Sequence, residues 1–365
     1  MISNFIYSQP VKIFFGAGQF AALGNVLGEL GLRRCILVCG RHFAPTAQEM
    51  LAQQEELCAV FSGVEQNPQL SCVEETVKLA RAHEADAIIG IGGGSAIDTA
   101  KFAAAIALND GEALEYFKGE RPFTGRRLAV IAVPTTAGTG SEVTQVSVIS
   151  HGAEKKTINN PAFMPLAAIV DPELSRSVPP RTTMNTGLDT LAHALEGFWS
   201  VQHQPICELM TAEAVRLVLD NLERAWRNGD DMEARTAMAY AATLGGLAFA
   251  LPKTAASHAC SYPLSEDYHL PHGEACAFTL DSLVRINADA RLEALCKRVG
   301  LSGCEELASR IAALKKLGGL RTRLSELGEV DMDKLCRDCA AHPLMKNNPV
   351  HMDEAALRAM FEGLK

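Results

Sequence analysis

Short runs of apolar residues alternate with amphipathic segments along the first half of the chain. Alternation of strands with helices predicts parallel strands joined by crossover helices, and the β-branched runs are typical of strands covered on both faces. The first half is therefore predicted to be an α/β domain with a parallel sheet. The predicted strands are Lys12–Phe15, Cys35–Val38, Ala87–Ile91, Leu128–Val133 and Ala168–Val170, with helices such as Val73–His83 and Ala96–Leu108 between them.

The pattern changes from Arg181 onward, where long stretches show the helical period and almost no strand signal. Pro179 and Pro180 would continue neither element type, so we place a domain boundary there. This predicts an α/β domain over residues 1–180 and an all-helical domain over residues 181–365. The predicted helices include Met184–Trp199, Ile206–Asn228, Met232–Ala250 and Glu305–Leu317.

Composition and charge narrow the classes of function. The net charge is -9 without a long basic run, which argues against nucleic acid and anionic membranes as partners. The beginning of the chain lacks the pattern of a signal peptide, and no apolar stretch is long enough to span a membrane, so we predict a cytoplasmic protein. The eleven cysteines are scattered, which predicts free and mostly buried thiols, including Cys336 and Cys339 on an ordinary helix.

A glycine cluster follows one predicted strand and leads into a helix. Gly92, Gly93 and Gly94 remove side chains from the turn, so backbone N–H groups can approach a pyrophosphate at the positive end of the helix. Ser95 and Asp98 resemble a capping box that would fix where the helix begins. The pattern is not the G-x-G-x-x-G fingerprint, and a plain strand-to-helix turn is the alternative.

A second polar loop follows the next predicted strand and contains Thr135, Thr136 and Thr139. Ligands of open parallel sheets bind at the carboxyl ends of strands, so these hydroxyls are candidates for binding a nicotinamide nucleotide. Another strand ends at Gly40 and Arg41, where an acidic residue would favour NADH. Gly40 leaves room for a 2′-phosphate and Arg41 could pair with it, which favours NADPH, although an exposed arginine is often only solvated.

Asp189 and His193 stand four residues apart in an apolar helical segment, hence on one face. With His258 and His272 they would supply one carboxylate and three imidazoles, a ligand set for Fe²⁺ or Zn²⁺. Spacing alone leaves a buried ion pair and isolated core histidines as alternatives. Five other histidines lie in ordinary contexts and are assigned no role: His83, His151, His203, His342 and His351.

Together these motifs resemble the iron-containing (group III) alcohol dehydrogenase family along nearly the whole chain. The resemblance implies an N-terminal nucleotide-binding domain, a C-terminal helical domain with the active site in the cleft between them, and a homo-oligomer, often a dimer. It implies Fe²⁺, alternatively Zn²⁺ or Mn²⁺, on Asp189, His193, His258 and His272. It also implies a dinucleotide bound by Gly92, Gly93, Gly94, Ser95, Asp98, Thr135, Thr136 and Thr139. The motifs are Gly92-Gly93-Gly94-Ser95-x2-Asp98-x2-Lys101, Pro134-Thr135-Thr136-x-Gly138-Thr139-Gly140-Ser141-Glu142, Asp189-x3-His193 and His258-x13-His272-Gly273.

Many members of that family carry a further histidine four residues after the ligand that corresponds to His258. This sequence has Tyr262 at that position instead. The Tyr262 hydroxyl would deliver a proton or contact the substrate, with a packing role as the alternative. The segments around Lys253 and Lys346 are similar to a branch that includes phosphonoacetaldehyde and sulfoacetaldehyde reductases. Two lysines would suit a short anionic aldehyde, and solvated side chains are the alternative.

The sequence therefore predicts a metal-dependent, NAD(P)H-linked alcohol dehydrogenase that acts as an aldehyde reductase on a small-molecule substrate. One alternative keeps the fold and changes the reaction to a cyclising lyase of the dehydroquinate-synthase type. Another is a non-catalytic nucleotide-binding scaffold protein.

Overall fold

A computed structural model describes residues 4–152 and 154–365 and divides them into two compact units. The sheet unit comprises residues 8–136 and 141–175, and the helical unit comprises residues 4–7, 137–140 and 176–365. The sheet unit thus ends at Ser175, a few residues before the predicted boundary at 180. The segment 137–140, predicted within the α/β domain, belongs to the helical unit.

The described residues of the sheet unit form a six-stranded sheet in the order β1-β8-β5-β4-β2-β3, in which every pairing is parallel. The predicted strands are found to within two residues, whereas the sequence analysis missed β3 and a separate antiparallel hairpin of β6 and β7. The predicted α/β fold class is confirmed. The strands are β1 (Lys12–Phe15), β2 (Cys35–Gly40), β3 (Leu57–Val64), β4 (Ala87–Gly92), β5 (Ala129–Pro134), β6 (Val146–His151), β7 (Glu154–Asn159) and β8 (Ala167–Val170).

Helices cover both faces of this sheet, as the apolar strands require. Successive residues of a strand point to opposite faces, so Ile88 and Val130 lie in one core and Ile89 and Ile131 in the other. The first core includes residues of α3 and α4, and the second includes residues of α1 and α2. The helices are α1 (Leu23–Glu29), α2 (Ala44–Gln53), α3 (Leu70–Ala82), α4 (Gly94–Ala107) and α5 (Ala113–Lys118).

The helical unit packs amphipathic helices around one large core of buried side chains. Pro179 caps the first long helix and Pro180 begins it. No helix or strand runs through these two prolines, and a helix can begin at Pro180 because proline is well suited to the first turn of a helix. The helices are α6 (Pro180–Trp199), α7 (Pro205–Arg227), α8 (Met232–Phe249), α9 (Ala256–Glu266), α10 (His272–Ile286), α11 (Ala290–Arg298), α12 (Cys304–Leu317), α13 (Met332–Ala341) and α14 (Glu354–Glu362).

All eleven cysteines are free, and most of them are buried, as predicted. Cys336 and Cys339 are buried on α13. None of the described helices has both the length and the apolar character needed to cross a membrane.

Gly140 joins the segment 137–140 to α8 by a close backbone contact. Its φ is +61°, and a Cβ at this position would lie 2.4 Å from Cα of Gly246. We expect Gly140→Ala to lower the free energy of unfolding by at least about 2 kcal/mol, because it adds overpacking to left-handed strain. Urea unfolding followed by circular dichroism measures this. Gly119→Ala is the matched control, since Gly119 has φ of +79° with open space around it and should cost about 1 kcal/mol. If both variants lose the same free energy of unfolding, the close contact between Gly140 and Gly246 does not contribute to stability.

Candidate metal centre and dinucleotide turn

One face of α6 carries three buried ionisable side chains. Asp189, His193 and Glu196 follow one another at intervals of four and three residues, which places them on the same side of the helix. Asp189 is 2%, His193 is 5% and Glu196 is 0% exposed. Burying such groups is costly unless they are paired or bound to a cation, so this face requires partners.

Two further histidines reach this face from α9 and α10. His258 lies in the first turn of α9, and His272 is the first residue of α10. Nε2 of His258 lies 3.7 Å and Nε2 of His272 lies 3.9 Å from Oδ1 of Asp189. Nδ1 of His193 lies 3.9 Å from Oδ2 of Asp189. The structure thus brings together all of the side chains that the sequence predicts as metal ligands.

The distances between the donor atoms of this cluster are too long for hydrogen bonds and are better suited to ligands of a shared cation. Their distances of 3.7–3.9 Å exceed hydrogen-bonding distance. Among the described residues, Oδ1 of Asp189, Nδ1 of His193 and Nε2 of His258 are buried and have no hydrogen-bond partner. Two atoms that each bind one ion at about 2.0–2.2 Å lie at most about 4.4 Å apart, so the distances of His258 and His272 to the same oxygen of Asp189 are compatible with a common ion. His193 faces the other oxygen of Asp189 and does not belong to the group of ligand atoms that all lie within 4.8 Å of one another. A carboxylate with imidazoles suits borderline cations such as Fe²⁺ or Zn²⁺.

Glu196 holds the imidazole of His258 from behind. Nδ1 of His258 donates to Oε2 of Glu196. Oε1 of Glu196 accepts from the backbone N–H of Ser257 at 2.6 Å and from that of His258 at 3.3 Å. One carboxylate therefore caps α9 and leaves Nε2 of His258 facing Asp189. Glu196 was not predicted from the sequence, although its position two turns after Asp189 on the same face was a usable signal.

The charges within the cluster favour an ionised carboxylate beside a neutral ring. Burial opposes ionisation of Asp189, but the surrounding histidines lower its pKa below the ordinary value. Burial lowers the pKa of His193 to about 4, so this ring is neutral at physiological pH and has a lone pair for a ligand. The His193 ring stacks on Phe249, with 4.2 Å between the ring centroids.

Tyr262 lies one turn beyond His258 on α9 and is half-buried. Its ring stacks on that of His342, with the centroids 4.3 Å apart and the planes at 27°. Burial lowers the pKa of His342, and the nearby His258 lowers it further. No role for His342 could be predicted from the sequence, because 80 residues separate it from Tyr262 and only the fold brings the two rings together.

In the sheet unit, the glycine cluster forms the turn between β4 and α4. β4 ends at Gly92, Gly93 is the capping residue and α4 begins at Gly94. Gly92 has φ of +150°, and a side chain there would meet Cβ of Ala96 at 2.9 Å, so the turn requires glycine. With Ser95 in its first turn, α4 presents an amino end almost without side chains, which is the arrangement that binds phosphates.

The predicted threonine loop begins beside this turn. β4 and β5 are parallel neighbours, with Gly92 opposite Pro134. The backbone N–H of Thr135 donates to the carbonyl oxygen of Gly92 at 2.9 Å. A methyl group on Gly93 would lie 3.4 Å from the hydroxyl oxygen of Thr136. Both loops therefore lie at the carboxyl ends of adjacent strands, where open parallel sheets bind ligands.

Asp98 does not form the predicted capping box with Ser95, because no side chain caps α4. Oδ1 of Asp98 accepts from the hydroxyl of Ser141 at 2.6 Å, and Oδ2 accepts from the N–H of Val148 at 2.9 Å. The fully buried Lys101 donates to Oγ of Ser141 at 2.7 Å, and burial lowers the pKa of Lys101 to about 8. Asp98 thus joins α4 to the β6–β7 hairpin and orients the helix that follows the glycine turn.

The other residues predicted to bind the dinucleotide lie on separate segments of the chain. β2 ends at Gly40, and Arg41 follows it directly. The Arg41 guanidinium pairs with Glu65 at 2.9 Å, and both side chains are largely exposed. Thr139 belongs to the segment 137–140 of the helical unit, whereas Thr135 belongs to the sheet unit.

The two predicted substrate lysines lie on neighbouring segments of the helical unit, and both are exposed. Nδ2 of Asn347, next to Lys346 in the chain, donates to the carbonyl oxygen of Thr254, next to Lys253, at 2.8 Å. Lys253 has φ of +65°, a left-handed conformation that strains a residue with a side chain. Such strain persists where the surrounding structure enforces it, and it often marks functional segments.

Two family models match successive parts of the chain. The model described as iron-containing alcohol dehydrogenase matches residues 10–172. The model described as Fe-containing alcohol dehydrogenase family, C-terminal, matches residues 183–364. Together they cover most of both units.

Individual relatives agree with this assignment. The chain is 39% identical to a crystal structure of sulfoacetaldehyde reductase from Bifidobacterium kashiwanohense in complex with NAD⁺, with a TM-score of 0.95 and 99% of each chain covered. It is 30% identical to sulfoacetaldehyde reductase of Bilophila wadsworthia over 98% of each chain. It is 34% identical to long-chain-alcohol dehydrogenase 1 of Geobacillus thermodenitrificans, over 86% of this chain and 83% of that one. The chain therefore belongs to the iron-containing alcohol dehydrogenase family and is an oxidoreductase of the alcohol dehydrogenase class.

Proposed function

We propose that this protein uses a nicotinamide dinucleotide and a divalent metal centre to reduce short aldehydes that carry a sulfonate or phosphonate group. The observation that carries the proposal is the convergence of one carboxylate and three imidazoles. In three of these four residues, Asp189, His193 and His258, a buried ligand atom has no hydrogen-bond partner among the described residues. Two relatives that are named sulfoacetaldehyde reductases support the substrate class. The residues that would hold the cation are Asp189, His193, His258 and His272.

When bound, the cation supplies Lewis-acid stabilisation of charge on a carbonyl oxygen, and the dinucleotide supplies a hydride. The protein must then provide a proton to that oxygen. Tyr262 holds a proton at its hydroxyl one helical turn from His258, and the stacked ring of His342 fixes the orientation of the phenol. We assign proton delivery to this hydroxyl, because it is the acid that α9 itself places beside the cluster.

The glycine turn of the sheet unit would bind the pyrophosphate, and the ends of β2 and β5 would bind the sugars. Gly40 leaves room for a 2′-phosphate and Arg41 offers it a charge, which favours NADPH over NADH. Arg41 would exchange its partner Glu65 for that phosphate. The relative with 39% identity was solved with NAD⁺, so kcat/KM with each coenzyme is the deciding measurement.

Protein loaded with Fe²⁺ or Zn²⁺ should oxidise the reduced coenzyme in the presence of sulfoacetaldehyde or phosphonoacetaldehyde. Neutral aldehydes of the same length should react with a lower kcat/KM. The proposal fails if a panel of neutral and anionic aldehydes gives no turnover with either coenzyme.

Replacement of Lys253 or Lys346 by methionine should remove the preference for anionic aldehydes. A charge-assisted hydrogen bond contributes about 1.5–3 kcal/mol, so the kcat/KM ratio of sulfoacetaldehyde to propionaldehyde should fall about 10- to 150-fold in each variant. Methionine keeps the unbranched side chain as far as Cε and removes the charged amino group.

The matched control for these variants is Lys297→Met, an exposed lysine at the end of α11. It should leave the ratio unchanged. If Lys253→Met and Lys346→Met lower kcat/KM equally for both aldehydes, the lysines do not recognise the anion.

We further propose a cytoplasmic location, which the free thiols support because reducing compartments preserve them. We expect a homo-oligomer, a dimer in the simplest case, and sedimentation analysis measures its size.

A further inference from the structure

Cys276 adds a sulfur atom to the candidate metal centre. It lies one turn after His272 on α10, so both side chains project from the same face of that helix. The residue is fully buried. Its Sγ lies 3.8 Å from Nε2 of His272.

The sulfur is close to the other candidate ligands as well. Sγ of Cys276 and one ligand atom each of Asp189, His258 and His272 all lie within 4.8 Å of one another. A lone buried thiol is common and means little by itself. Here, however, Oδ1 of Asp189 and Nε2 of His258 are buried without hydrogen-bond partners among the described residues, and both residues belong to the same group. These orphaned atoms are an independent sign that the group holds a ligand.

We propose that Cys276 binds the cation as a thiolate, so that the centre contains one sulfur ligand besides its carboxylate and imidazoles. This inference rests on the proposed function, since it concerns the same cation. The thiol proton leaves to solvent when the metal binds. A thiolate is a soft ligand and favours Zn²⁺ or Co²⁺ over the harder Mg²⁺ and Mn²⁺. Loss of the sulfur should therefore change which metals the protein retains.

Co²⁺ gives a direct readout of the sulfur. Thiolate bound to Co²⁺ produces an intense charge-transfer band in the near ultraviolet, which oxygen and imidazole ligands do not produce. Titration of metal-free protein with Co²⁺ should give this band at one equivalent, and Cys276→Ser should abolish it while Co²⁺ still binds. Cys207→Ser is the matched control, because Cys207 is a buried thiol on α7 that is absent from the cluster, and it should keep the band.

The same preparations test the affinity. Competition with a chelator should show that Cys276→Ser binds Zn²⁺ about 10- to 100-fold more weakly, with a smaller change for Mn²⁺. Circular dichroism shows whether Cys276→Ser is folded. If it is not, Cys276→Ala replaces it in the same measurements.

Two outcomes would overturn the proposal in different ways. If wild-type protein binds one equivalent of Co²⁺ without the band, the centre exists but Cys276 is not a ligand. If wild-type protein binds no Co²⁺, Zn²⁺ or Fe²⁺ at all, the metal centre itself and the proposed function fail together.

Discussion

Asp189→Ala should reduce aldehyde turnover by about a thousandfold or more. Asp189 lies within 3.9 Å of all three candidate histidine ligands, so it is the residue that joins the cluster. Lewis-acid stabilisation is worth several kcal/mol, and each 1.4 kcal/mol or so corresponds to a factor of ten in rate. Steady-state kinetics and metal analysis of the purified variant measure the two effects separately.

The metal content should fall together with the turnover. Asp220→Ala, which removes an exposed carboxylate on α7, is the control and should retain both. If Asp189→Ala keeps the metal content and the turnover of the wild-type protein, the proposed metal centre is wrong. Full metal content with lost turnover would instead assign Asp189 to the reaction and not to metal binding.

Glu196→Ala should destabilise the folded protein by about 3–5 kcal/mol. It removes the acceptor of three donors, the ring of His258 and the backbone N–H groups of Ser257 and His258, and leaves them buried. It should also weaken metal binding about 10- to 100-fold, because a carboxylate behind a ligating histidine orients the ring and raises its basicity. Urea unfolding and chelator competition measure these effects.

A comparison with Glu196→Gln separates positioning from structure. Glutamine still accepts hydrogen bonds through its side-chain oxygen but carries no charge, so this variant should recover most of the stability and little of the metal affinity. Glu213→Ala, at a partly exposed position of α7, should change neither quantity. If Glu196→Gln regains the full metal affinity, the charge of Glu196 has no role at the centre.

The sequence predicted those elements whose apolar pattern is strong. The buried strands β4 and β5 are continuous apolar runs and were found nearly to the residue. The hairpin of β6 and β7 was missed, because Lys155, Lys156 and Thr157 give β7 no apolar face. The strand β3 was also missed, although its first five residues, Leu57 to Phe61, form an apolar run that could have predicted it.

The candidate site likewise has one part that the sequence predicts and another part that depends on the fold. The spacing of Asp189 and His193 on α6 is a local signal that the sequence shows directly. Their meeting with His258 and His272 depends on how the helices pack, so only the family resemblance predicted it, and the role of these residues as ligands stays a prediction. Glu196 and Cys276 repeat the helical spacing but belong to no motif, which is why the sequence analysis passed over them.

Three of the polar groups around the candidate centre lie on α6, a single long helix. Their mutual spacing is set by the helical rise and by the core beneath them, and does not depend on the cation. The cost of gathering these groups is thus met when the chain folds, and the arrival of an ion requires little rearrangement. We therefore expect the metal-free protein to be folded and able to bind a metal ion. A preorganised site of this kind should also release the ion without unfolding.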